Sequence, residues 1–164
     1  MKMPRFPKML LILVLAALAT ESKATDAETP QMFAAMAVVV IPAPKGGVAL
    51  NKYAEIQALA QEIITSLLPA AERRAMAQMG ANADDKLSIR MIAVPDSLLF
   101  ELHATAFSSK LAADFANGVA GQLEQALPRA DPAAVKQLET DIGKPPVFLL
   151  WEKAKAFPVT EVRH

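Results

Sequence analysis

The stretch Met32 to Ile41, "MFAAMAVVVI", is an almost unbroken apolar run rich in valine, and it stops at the breaker cluster Pro42-Ala43-Pro44-Lys45-Gly46-Gly47. A near-continuous run of this length predicts a central strand covered on both faces. From Leu50 the period lengthens. Ile56, Leu59, Ala60, Ile63, Ile64 and Leu67 recur at three and four residues, while Glu55, Gln61, Glu62 and Thr65 fall largely elsewhere. This predicts an amphipathic helix with Asn51 as its cap. Pro69 is expected to end or kink it, because the ring removes a donor and clashes with the preceding turn. "AAERRAMAQM" then adds a short helix that stops at Gly80.

Strand periodicity returns in "KLSIRMIAV" (Lys86 to Val94), where Leu87, Ile89 and Met91 alternate with Ser88 and Arg90. Pro95-Asp96-Ser97 supplies a turn. "LLFELHATAF" alternates again, with Leu98, Phe100, Leu102, Ala104 and Ala106 on one face and Glu101, His103 and Thr105 on the other. The two runs predict a hairpin. Ser108 or Ser109 is the expected cap of a second helix, whose apolar stripe is Leu111 or Ala112, then Phe115, Ala116, Val119, Leu123 and Leu127. After Pro128, "DPAAVKQLETDI" reads as a short helix with Asp131 as cap and Pro132 at the first helical position. Gly143 to Pro146 breaks it, and "VFLLWEKA" is the last strand.

Strand, helix, strand, strand, helix, strand is the β-α-β-β-α-β order of a ferredoxin-like α+β sandwich. Two helices would cover one face of a mixed, mostly antiparallel sheet. The domain assigned this way spans residues 32–158, between a polar leader at 25–31 and a tail at 159–164.

The first 24 residues stand apart. Lys2, Arg5 and Lys8 precede "MLLILVLAALAT" (Met9 to Thr20), and Ser22-Lys23-Ala24 places small residues at −3 and −1 of a cleavage site, with Ala17-Leu18-Ala19 a second candidate. A charge-free run of twelve residues is shorter than the roughly 20 needed to span a bilayer. The expectation is an export signal over 1–24 and a periplasmic or secreted product with no stable membrane span after cleavage. The alternative is an inner-membrane anchor formed by residues 9–20. Cleavage after Ala24 removes Lys2, Arg5, Lys8, Lys23 and Glu21, leaving 13 basic and 16 acidic groups and a net charge of about −3.

Composition narrows the chemistry. The 164 residues suit one domain, and 53% are apolar, which argues against a disordered chain. Cysteine is absent, so disulfides, thiolate metal sites, a cysteine nucleophile and a lipidated cysteine are excluded. The formal net charge is zero, with one Tyr, one Trp and no basic stripe, so nucleic acid is not expected as a partner.

His103 is the internal histidine. Residues i and i+2 of a strand share a face, so Glu101 can hydrogen-bond it, and a catalytic reading would add Ser108 or Ser109 as nucleophile. No G-x-S-x-G elbow accompanies these serines. The plainer expectation is a solvated or cross-strand-paired histidine with Arg90 as neighbour on the facing strand. Arg90, Glu101 and His103 are therefore the candidate polar-face contacts. Asp84-Asp85 lacks the spaced oxygen ligands of a calcium loop, and Gly46-Gly47 lacks the rest of a phosphate loop. The eight methionines are scattered, as core filler would be. No cofactor, metal site or enzymatic activity is expected from these residues.

The unit "SIRMIAVPDSLLFELHATAFSSKLAADFANGVAGQL" resembles the periplasmic domain of the polysaccharide chain-length determinant (Wzz-type) family, the polysaccharide co-polymerases. Lys110 to Asn117 is similar to the family's "ELAADIANA" helix, Phe33 to Val40 to its first periplasmic strand, and "VFLLWEKAKAFP" to its late strand. The likeness covers roughly residues 32 to 158. Family members cross the inner membrane twice and insert a long helical segment before the last strand. Here a second apolar span is missing, and about 18 residues separate the second long helix from the closing strand. The resemblance implies a base domain alone: a non-enzymatic exported accessory domain in polysaccharide assembly or export. Its implied partners are copies of itself or a membrane-bound polysaccharide-assembly protein. A small-ligand-binding module using the polar sheet face is the alternative, and a hydrolase ranks last.

Overall fold

The computed structural model describes residues 31–43, 46–49, 52–82 and 85–159. The export signal at 1–24, most of the leader, Asn51, Asp84 and the tail from 160 lie outside these residues. The elements are β1 (Phe33–Val40), α1 (Tyr53–Met79), β2 (Ser88–Ala93), β3 (Leu99–Ala106), α2 (Ser109–Ala126), a 3-10 turn at Leu127–Arg129, α3 (Pro132–Ile142) and β4 (Leu149–Pro158). The protein is α+β, with one four-stranded sheet in the order β2-β3-β1-β4.

Every pairing in that sheet is antiparallel, so the expected mixed sheet is corrected. β1 and β2, which α1 joins, run the same way, but β3 lies between them and pairs with both. No parallel ladder can form in that order. β4 starts two residues later than its sequence pattern and runs on to Pro158, because Ala156 still pairs with Ala35 of the central strand.

The alternation read in β3 holds at every position: Phe100, Leu102, Ala104 and Ala106 are all 0% exposed. Ala35, Ala37 and Val39 of β1 share that buried face. β1 is central, as its apolar run implies, yet among the described residues helices cover one of its faces and not the other. α2 packs across β1, β3 and β4, α1 lies against α2 and reaches β2, and α3 packs on α1. Ala34, Met36 and Val40 point the other way and stay partly exposed, whereas Val38 on the same face is 8% exposed. The core between sheet and helices includes Ile41, Phe100, Phe115, Leu138, Ile142 and Phe148. Each large apolar side chain buried there stabilises the fold by about 1.5–3 kcal/mol.

α1 runs unbroken through Pro69, against the expected stop or kink and separate second helix. The proline cannot donate to the carbonyl of Thr65, one turn earlier. Thr65 is exposed, so water can take that carbonyl. Ala60, Ile64, Leu67, Ala71 and Ala75 are buried on both sides of the proline, and this continuous stripe holds the helix together. Its C-terminus is the expected glycine stop: Gly80 has φ 65°, with Gly80 N–H donating to Ala77 O and Ala81 N–H to Met76 O. Its start has Lys52 at the cap position and no side-chain cap.

The other caps follow the sequence. Ser108, not Ser109, caps α2 by accepting the Leu111 N–H, and Ala112 rather than Leu111 carries the buried stripe. Asp131 accepts the Ala133 N–H at 3.1 Å, with Pro132 opening α3. In the hairpin turn Asp96 has φ 54°, Ser97 Oγ donates to Val94 O, and Leu99 N–H donates to Ser97 Oγ.

Candidate functional site

The sheet face turned away from the helices carries Arg90, Glu101 and His103. Register sets their neighbours. Arg90 of β2 lies opposite His103 of β3, as expected from the sequence. His103 in turn lies opposite Met36 of β1, and Met36 opposite Lys155 of β4. The next row along the strands is Ile92, Glu101, Val38 and Glu152. A basic row and an acidic row therefore sit side by side, each with an apolar β1 residue in it.

Within this face His103 Nε2 and Glu101 Oε2 are 2.7 Å apart, with the two side chains 27% and 30% exposed. Strand geometry places i and i+2 together, and the carboxylate holds the ring nitrogen. Arg90 is exposed on the edge strand β2. On the far side of His103, the Ser88 and Thr105 hydroxyls are hydrogen-bonded to each other at 2.7 Å. A depression of about 290 Å³ opens here, lined among others by Ala34, Ser88, Arg90, His103 and Thr105. Its donors, Arg90 and the Ser88 and Thr105 hydroxyls, suit reversible contact with a polar or anionic group.

The serines of the catalytic reading are placed elsewhere. Ser108 Oγ accepts the Leu111 N–H at the start of α2, and Ser109 is the first residue of that helix. Among the described residues, the hydrogen-bond partner of the His103 ring is Glu101. Asp85 Oδ2 accepts the Asn82 N–H in the loop before β2, which makes it a turn residue, while Asp84 lies outside the described residues. Gly47 has φ 73° and serves the turn after β1. Two other depressions, of about 310 and 460 Å³, lie on the helical side, one beside α3 and one on the exposed flank of α1.

Sequence reading missed the β1 and β4 half of this face: Met36, Val38, Glu152 and Lys155. The apolar character of β1 on both faces concealed its alternation, and pairing with β4 is interrupted between Met36 and Val38 and again between Val38 and Val39. Such irregularities of an edge strand have no signature in composition. Among the described residues, no helix is long and apolar enough to cross a membrane. No family model matches the chain, and no curated protein is significantly similar to it.

Proposed function

We propose that this protein is an exported, non-enzymatic accessory domain in polysaccharide assembly or export that works through protein–protein contacts. In this reading the fold is ferredoxin-like, akin to the base domain of a chain-length determinant. The strand order β2-β3-β1-β4 with antiparallel neighbours, and helices on one side, supports the fold assignment. The observation that carries the role is the broad sheet face that, among the described residues, the helices leave open, where a basic row lies beside an acidic row and each holds an apolar β1 residue. Mixed surfaces of this kind suit contact with another protein.

Export rests on the n-region and apolar run of residues 1–24. The mature chain would act in the periplasm or after secretion. N-terminal sequencing of the protein recovered from the cell envelope tests this, and a mature start at Thr25 is expected. The role itself is tested by deleting the gene and comparing the size distribution of surface and secreted polysaccharides on gels. A shifted chain length that returns on re-expression is expected. An unchanged profile in cells that make the protein would overturn the reading.

A second reading is a small-ligand-binding module at the depression beside Arg90 and His103. It predicts that an anionic sugar or small carboxylate shifts the NMR resonances of Arg90, Glu101 and His103. R90A would abolish that shift.

A further inference from the structure

We propose that the open sheet face is a contact between two copies of this chain, packed face to face about a two-fold axis running across the strands between the Met36 row and the Val38 row. Such a rotation lays each strand over the same strand of the other copy and exchanges the two rows. Glu101 then faces the second copy's His103, and Glu152 faces its Lys155. Val38 meets Met36 at the middle strand. One row further out, Leu149 lies over Phe157, two of the exposed large apolar residues, at 40% and 52%. The register alone generates these pairings.

Three observations favour a second copy over other occupants. The acidic and basic rows are adjacent and nearly balanced, so a uniformly charged partner such as nucleic acid or an anionic membrane would meet repulsion in one row. The same pattern turned over on itself is complementary, as an isologous interface requires. The area is also sufficient. Four strands about 4.8 Å apart and of 6 to 10 residues present about 500 Å² per copy, on the order of 1,000 Å² for the pair, the lower limit for a specific interface. The face is also a better contact than the edge. β4 pairs irregularly and carries Glu152, Lys153 and Lys155, features that block edge-to-edge pairing. Sheets stacked about 10 Å apart leave room for Glu, Lys and His side chains to meet across the gap.

This inference concerns the same sheet face that carries the proposed role, but its readout is self-association, which holds whatever polymer phenotype is found. Sedimentation equilibrium of the full chain tests it with E152K, K155E and the E152K/K155E double variant. Each single change sets like charge over like charge and is expected to raise the dissociation constant about tenfold or more. The double swap restores the complementarity and should return it to within about threefold of wild type. Glu152 and Lys155 are exposed, so these changes leave the core intact. The chain has no cysteine, which permits a second readout independent of charge. L149C and F157C chains, mixed and treated with a short bismaleimide, should cross-link to each other more than either does to itself. A wild-type chain that stays monomeric at about 100 μM would overturn the proposal. So would a dimer indifferent to E152K, or cross-linking that favours L149C with itself.

Discussion

Asn117 of α2 accepts the backbone N–H of Ala154 through its Oδ1 at 2.8 Å, so a helix side chain holds the edge strand where its pairing with β1 is irregular. A bulged strand leaves a backbone donor without its ladder partner, and a partly buried donor needs another acceptor. N117A should destabilise the fold by about 1–2 kcal/mol, and N117D, which keeps an acceptor at the same place, by less. Urea denaturation checks both values. Amide exchange should quicken at Ala154 in N117A and not at the β1–β3 pairs.

Gln57 of α1 ties the helix to the hairpin turn. Its Nε2 donates to Val94 O at 2.6 Å and to Ser97 O at 2.8 Å. Q57A leaves two carbonyls to find water and should cost about 1–2 kcal/mol. Q57E, which lacks the donor, should cost at least as much. Equal stability of Q57A and wild type in urea would refute the tie.

Gly118 of α2 packs against Ala75 of α1. A Cβ added there would lie 3.3 Å from the Cβ of Ala75. In G118A the helix gains up to about 1 kcal/mol of propensity, which the crowding offsets, so a change of less than about 1 kcal/mol is expected. G118L should cost about 1–3 kcal/mol or more by forcing the helices apart. Combining it with A75G should recover part of that loss in a double-mutant cycle.

Pro69 is carried inside α1 at a cost. P69A restores a donor for the Thr65 carbonyl and should raise stability by about 1–3 kcal/mol, reduced somewhat by the freer unfolded chain. Circular dichroism should show the same helix content in both proteins. A destabilised P69A would mean that the ring itself packs favourably.

Burial raises the Glu72 carboxyl above its ordinary value of 4.5, with the Arg73 charge pulling it the other way. Between the unfolded value and the raised folded value, the native state holds more proton than the unfolded chain. Stability from this group therefore falls as pH rises through that window, and the charged form is disfavoured at neutral pH. E72Q should raise the urea midpoint near pH 7 while leaving it nearly unchanged at about pH 4. Equal midpoints for the two proteins at both pH values would show that the carboxyl is solvated in the native state.

Local rules in the sequence determined much of this protein. Alternation from Leu98 to Ala106 assigned the core face of β3, and Ser108, Gly80, Gly143 and the Asp131-Pro132 pair marked helix ends where they occur. These signals survive because caps and side-chain periods depend on residues a few positions apart. The Glu101–His103 pair was legible for the same reason, as was Arg90 opposite His103, which a short hairpin fixes. Tertiary structure alone decided the rest. Met36 and Lys155 are more than a hundred residues apart in the chain yet adjacent in the sheet, and no local pattern records that register. β1 is apolar on both faces, but helices cover one of them. α1 passes through Pro69 because Ala71 and Ala75 continue its buried stripe against α2. Periodicity says which way a side chain points, whereas packing between distant segments says what it meets.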